Sequence, residues 1–117
     1  MILIFGSLGG HSAKGMVTAL AELSPQVLAV QSRHPKASPS RIIGEILAEN
    51  GLPVVFESDH VGEATRKALE IANPDDLILA TGSLSVAAEV IEEIKGMTPE
   101  IYPTIKRPKL PGARKVV

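Results

Sequence analysis

The chain has 117 residues, 44% of them apolar and 21% charged, with a net charge of −1. This length predicts one globular domain, and the small net charge gives no bias toward nucleic acid or an acidic membrane. Cysteine is absent, which excludes disulfides and thiolate metal ligands and fits a reducing compartment. No apolar run approaches the roughly 20 residues that cross a bilayer. We therefore expect a cytoplasmic protein.

Apolar strands and amphipathic helices alternate four times along the chain. The predicted strands cover residues 2–5, 26–30, 52–56 and 77–80, and the predicted helices cover residues 12–23, 39–50, 59–72 and 84–95. Such alternation predicts an α/β domain, a three-layer Rossmann-like arrangement with a mostly parallel sheet and helices on both faces. Pro53 fits the start of its strand or a strand at the sheet edge.

Helical spacing predicts which side chains face the sheet. These are Met16, Leu20 and Leu23 in the first helix, Ile42, Ile43, Ile46 and Leu47 in the second, Val61, Ala64, Ala68, Leu69 and Ala72 in the third, and Val86, Val90, Ile91 and Ile94 in the fourth. Ser38 is predicted as the N-cap of the second helix, with Pro39 as its first residue. Asp59 is predicted to begin the third helix.

Three loops leave the carboxyl edge of the predicted sheet, where ligands bind in such folds. They comprise residues 6–12, 31–38 and 81–83. In the last loop, Gly82 allows a sharp turn and a close approach of another group, and Ser83 can cap the following helix. The N–H groups of that first turn could hold an anion. The alternative is that residues 81–83 are only a capped strand–helix connection.

The glycine-rich first loop matches neither nucleotide-binding fingerprint. Gly6, Gly9 and Gly10 do not form G-x-G-x-x-G, and Lys14 is followed by Gly15 rather than Ser or Thr. No acidic residue ends the second strand to hold a ribose. We therefore expect neither a dinucleotide-binding domain nor complete machinery for phosphoryl transfer, and we assign no catalytic residue.

The histidines have no mutual spacing that suggests a metal site. His11 and His34 both fall on sheet-edge loops, where they could converge or simply be exposed to solvent. Arg33 and Lys36 flank His34 and give this loop a positive charge that could receive a phosphate or carboxylate. The alternative is that these cations are only solvated.

Residues 97–117 differ from the rest of the chain, because they contain four prolines and five lysines or arginines. A basic tail could touch RNA or a lipid surface. With no periodicity and no aromatic residue after Tyr102, we instead expect a solvated, Pro-rich basic tail. Ile101 and Tyr102 could add one edge strand.

Four segments in succession resemble a known family. LIFGSLGGHSAKGM, QSRHPKASP, GLPV and DDLILATGSL resemble the C-terminal domain of folylpolyglutamate synthase/dihydrofolate synthase, a member of the Mur-ligase-like ATP-dependent amide ligases. The resemblance covers residues 1 to about 96, which it identifies as a Mur ligase C-terminal-like domain. It does not extend to the tail.

The resemblance implies a function. Family members add L-glutamate to a folate or dihydropteroate carboxylate through an acyl phosphate, using ATP and Mg²⁺ bound mainly by an N-terminal P-loop domain. The C-terminal domain closes over that site, which excludes water and aligns the amine. By resemblance, the first loop would approach ATP and glutamate, and the turn at residues 81–83 would contact the glutamate carboxylate. The implied nucleotide- and glutamate-binding residues are Gly6, Gly10, His11, Ser12, Arg33, His34, Thr81, Gly82 and Ser83.

One departure from the family stands in the first loop. Family members have acidic residues on either side of a basic one, whereas this chain has Gly10-His11-Ser12. Our leading hypothesis is a closing domain that was cut from a longer ligase, is inactive alone and has the P-loop domain as its partner. The alternatives are a stand-alone, non-enzymatic module that binds small anions, and the same domain of another Mur-type ligase.

Overall fold

Four parallel strands form one sheet. A computed structural model of the chain describes residues 1–9 and 14–96. The strands are β1 (Ile2–Phe5), β2 (Gln26–Val30), β3 (Val54–Ser58) and β4 (Ile78–Thr81), and the helices are α1 (Lys14–Ala21), α2 (Ser40–Glu49), α3 (Val61–Ile71) and α4 (Leu84–Lys95). The strand order is β3-β2-β1-β4. The predicted tail and its edge strand at Ile101 and Tyr102 lie outside the described residues.

Helices cover both faces of the sheet, so the predicted three-layer α/β fold is confirmed. Alternate strand residues point to opposite faces. One core packs α1 and α2 against the sheet through Leu3, Phe5, Val17, Val27, Ala29, Ile43, Leu47 and Leu52. The other packs α3 and α4 through Ile2, Ile4, Leu28, Val30, Val61, Ala64, Ala68, Val86 and Val90. The central strands β1 and β2 read as continuous apolar runs because helices bury both of their faces.

The connections between strands share one hand. From β1 to β3 the chain moves across the sheet in one direction, with α1 and α2 on one face. From β3 to β4 it returns in the opposite direction, with α3 on the other face. Reversing both the direction and the face preserves the hand, which in parallel sheets is right-handed. The reversal also places β4 directly beside β1.

Several predicted inward positions are wrong. In α1, Val17 is fully buried, whereas Met16 is 46% exposed. Leu23 is exposed because the helix ends at Ala21 and a turn follows. Leu69 of α3 is also exposed.

In α4, Val86 and Val90 are buried as predicted, but Ile94 is 57% exposed and Ile91 is also exposed. The side of α4 that faces the protein instead buries Ser85, Glu89 and Glu92 together with the two valines. These polar side chains have partners in the loop after β2, so helical spacing alone could not orient this helix.

Two helices begin later than predicted. Pro39 has an extended backbone, with φ −58° and ψ 146°, and serves as the N-cap of α2, while the Ser38 N–H donates to the Ser7 carbonyl at 3.0 Å. The N-cap of α3 is His60, and the Asp59 carboxylate before it accepts a hydrogen bond from the Ser40 hydroxyl at 2.7 Å. Partners in neighbouring loops therefore hold Ser38 and Asp59 outside the helices.

The strand boundaries also differ from prediction at the sheet edges. β3 covers residues 54–58 rather than 52–56, and β4 extends to Thr81. Leu77, predicted to open the fourth strand, precedes β4 and is exposed. Pro53 comes directly before β3, which is an edge strand, as its missing N–H requires.

The amino end of the sheet carries an ion pair that makes stability depend on pH. The Asn73 N–H donates to the Asp76 carboxylate, whose other oxygen lies 3.3 Å from the Met1 ammonium, and these contacts lower the pKa of Asp76. A depressed pKa in the folded state stabilises the protein above the unfolded pKa, and this contribution is lost as pH falls through the folded value.

We therefore expect the stability advantage of the wild type over Asp76→Asn to be present at neutral pH and to shrink below about pH 4. Chemical unfolding at a series of pH values, with an NMR titration of the Asp76 carboxyl, measures both effects. Titration of Asp76 at or above its ordinary pKa would contradict this expectation.

Candidate functional site

The candidate site is the crevice at the carboxyl ends of β1 and β4. The chain leaves β1 toward α1 on one face of the sheet and leaves β4 toward α4 on the other. Where neighbouring strands feed opposite faces, the two loops diverge and a crevice opens. The Gly6 N–H donates to the Thr81 carbonyl at 3.3 Å and joins the two strands at the base of this crevice.

Gly82 forms the floor of the crevice through its backbone. Its φ of +104° lies in the region that favours glycine, and a Cβ built there would stand 2.0 Å from the Gly6 carbonyl oxygen. A Cβ on Gly6 would in turn stand 2.7 Å from the Val30 carbonyl oxygen. The two glycines thus bring three strand ends together, and the close approach predicted at Gly82 is confirmed.

Ser83 begins α4 as predicted. Its hydroxyl oxygen accepts the Val86 N–H at 3.3 Å, which satisfies one donor of the first helical turn. Among the described residues, the N–H groups of Leu84 and Ser85 have no acceptor. These donors, at the positive end of the helix dipole, could receive an anion.

A chain of hydroxyl groups connects this turn to the loop after β2. The Ser83 and Ser85 hydroxyl oxygens are 2.9 Å apart, and Ser85 is in turn 2.9 Å from Ser32. Ser32 also accepts the His34 N–H at 3.3 Å. Ser32 and Ser85 are buried, so their hydrogen bonds fix the second loop against the start of α4.

The first and second loops are joined to each other. Leu8 and Ala37 form an isolated antiparallel bridge, and the Gly9 N–H donates to the Lys36 carbonyl. In the second loop, the Lys36 N–H donates to Nδ1 of His34 at 3.0 Å. The ring of His34 therefore braces its own loop through Nδ1, with Nε2 as its other polar atom.

Arg33 pairs with two buried carboxylates of α4. One guanidinium nitrogen lies 2.6 Å from Glu92 and another 3.5 Å from Glu89, and the Arg33 N–H donates to Glu89 at 2.8 Å. The relative exposures of Glu89 and Glu92 are only 2% and 4%. These contacts direct the positive charge of Arg33 toward α4.

The structure brings together five of the nine predicted site residues at the crevice and its border. Gly6, Thr81, Gly82 and Ser83 line the β1–β4 junction, and His34 is linked to Ser83 through the hydroxyl chain. The Thr81 hydroxyl also lies 3.9 Å from the sulfur of Met16 in α1. Arg33 lies in the same loop as His34. Gly10, His11 and Ser12 lie outside the described residues.

Sequence reasoning missed four residues that organise this edge, namely Ser32, Ser85, Glu89 and Glu92. The only available signal was the i, i+3 spacing of the two glutamates, which places them on one side of a helix. That spacing is equally typical of a solvent-facing surface. The serines carried no distinguishing pattern at all.

The crevice supplies hydrogen-bond donors rather than a nucleophile and base. Between residues 1–9 and 14–96, no three histidine or acidic side chains are grouped so as to hold a metal ion. In the same ranges, no helix has the length and apolar character needed to cross a bilayer. The arrangement can bind a carboxylate or phosphate at the start of α4. No known protein family, curated protein or solved structure matches this chain.

Proposed function

We propose that this chain is the domain that closes over the active site of an ATP-dependent ligase, which adds L-glutamate to folate or dihydropteroate through an acyl phosphate. The observation that carries the proposal is the convergence of loops from β1, β2 and β4 on one crevice, with the start of α4 at its border. The resemblance of residues 1 to about 96 to folylpolyglutamate synthase/dihydrofolate synthase supplies the reaction.

The geometry suits a binding role for this domain. The Ser83 hydroxyl contacts another hydroxyl and a backbone N–H, with no described base beside it, so it is a hydrogen-bond donor to an anion rather than a nucleophile. A glutamate carboxylate at the start of α4 would gain charge-assisted hydrogen bonds. ATP and Mg²⁺ would be held mainly by the P-loop domain of the parent ligase.

A stand-alone module that binds small anions is the second candidate. It is favoured by the first loop, in which Gly10 and Ser12 replace the acidic residues of the family. It needs no P-loop partner and uses the same crevice. The same domain of another Mur-type ligase would also use this crevice, since the acceptor is selected elsewhere in the parent protein.

NMR titration of the chain separately with L-glutamate, inorganic phosphate and ATP·Mg²⁺ tests these functions. For a closing domain we expect millimolar dissociation constants, with amide shifts concentrated at residues 81–86 and 32–34, because most contacts would come from the partner domain. A dissociation constant below about 10 μM would favour the stand-alone module. The absence of shifts at both segments would overturn both functions.

Ser83→Ala provides a sharper test of the crevice. Loss of the cap should lower the free energy of unfolding by about 1 kcal/mol, and loss of one donor should weaken anion binding by about 5- to 10-fold. Ser40→Ala is the matched control, because it also removes a buried hydroxyl, but one bonded to Asp59. The control should lose similar stability and bind normally. Equal binding by the two variants would exclude Ser83 from the site.

A further inference from the structure

The described part of the sheet leaves the outer edge of β4 without a partner strand. The Gly6 N–H donates to the Thr81 carbonyl, so Thr81 faces β1. Alternate residues of a parallel strand bond to the same neighbour. The N–H and carbonyl groups of Ile78 and Ala80 therefore point away from β1, toward the outer edge.

The path of the chain leads from α4 toward that edge. α4 ends at Gly96, whose φ of +66° turns the chain out of the helix. α4 packs on the same face as α3, over which the chain crossed from the β3 side of the sheet to β4. A crossover of the same hand over α4 continues in the same direction. The strand that follows it would lie parallel to β4 on the outer edge.

We propose that the segment after Gly96 adds a fifth parallel strand to β4 and thereby brings Lys106 and Arg107 to the crevice as anion-binding residues. Connections of this kind take about 2 to 6 residues, so a strand of four or five residues would include residues 101–105. Its end would lie at the carboxyl edge of the sheet, beside Ser83.

Proline fixes the orientation of the proposed strand. Pro103 has no N–H, so within a sheet its nitrogen must face away from the neighbouring strand. Tyr102 and Thr104 then turn their N–H and carbonyl groups toward β4, where Ile78 and Ala80 present the complementary groups. The sequence of the segment is thus compatible with one orientation only.

The two cations would complete a site that otherwise has little free positive charge. Arg33 is held by Glu89 and Glu92, and the start of α4 offers only partial charges. Lys106 and Arg107 directly follow the proposed strand and would stand where an anion meets α4. This role rests on the proposed function, whereas the strand itself does not.

Hydrogen exchange of the full chain tests the strand. We expect the Ile78 and Ala80 amides to exchange at least about 100-fold more slowly than open-chain amides, because both would be hydrogen-bonded. Thr104→Pro should abolish this protection. Ile105→Pro, the matched control, removes an amide that faces away from β4 and should preserve it. Rapid exchange in the wild type, or protection that grows with protein concentration through a second copy, would overturn the strand.

Phosphate titration tests the two cations. Lys106→Gln/Arg107→Gln should raise the dissociation constant for inorganic phosphate about 5-fold or more, whereas Arg114→Gln/Lys115→Gln, with the same change in charge, should have less than half that effect. Equal effects would overturn the cation role while slow exchange upholds the strand. If the wild type binds no phosphate, the proposed function and the cation role both fail, and the exchange experiment alone decides the strand.

Discussion

Replacing Gly82 with alanine is expected to lower the free energy of unfolding by about 4 kcal/mol, the largest effect of any single methyl group in the crevice. Two causes combine at this position. The backbone has φ +104°, and the added Cβ would stand 2.0 Å from the carbonyl oxygen of Gly6. Because that obstacle is backbone, β1 and β4 must separate to make room. Urea unfolding followed by circular dichroism measures the loss.

Gly96→Ala separates the two causes. Gly96 also has a positive φ, of +66°, but a Cβ there meets nothing within 4 Å. It should therefore lose only the conformational term, about 1 kcal/mol. Similar losses at the two positions would mean that the contact between Gly6 and Gly82 does not limit the packing of β1 against β4.

Arg33→Met is expected to destabilise the fold by about 3 kcal/mol, because it leaves two buried carboxylates without their cation. Methionine keeps part of the side-chain packing while removing the charge and its hydrogen bonds. Glu89 and Glu92 are exposed by only 2% and 4%, so water cannot readily replace the guanidinium. The loss should be partly recovered when both glutamates are changed to glutamine in the same protein, which thermal unfolding can measure.

Arg41→Met is the matched control. Arg41 pairs with Glu45 at 2.9 Å, but both side chains are more than half exposed, at 71% and 55%. Exposed pairs of this kind contribute at most about 0.5 kcal/mol. A loss for Arg33→Met no larger than that of the control would show that the two glutamates do not depend on Arg33.

The fold class could be predicted from periodicity because β1 and β2 are buried on both faces and their residues are accordingly all apolar. Periodicity served less well for the helices that cover the sheet edges. In α4, isoleucine and glutamate exchange the expected positions, with Ile94 exposed and Glu89 buried. That inversion depends on Arg33, which is distant in sequence, so no local pattern could announce it.

Part of the site was likewise accessible to sequence reasoning. Gly82 and Ser83 follow an apolar strand and precede an amphipathic run, and both the positive φ and the cap were expected from their chemistry. The hydroxyl chain through Ser32 and Ser85 was not, since serine is common in loops and at helix starts. Only the spatial meeting of two loops makes those residues significant.

The contact between Gly6 and Gly82 has a consequence for how such a protein diversifies. The base of the crevice is made of main-chain atoms, which every sequence supplies alike once two positions lack a side chain. Substitutions in the surrounding loops can then alter ligand preference without rebuilding the junction between the strands. Proteins that share this base can therefore accept different guests while retaining little more in common than two glycines.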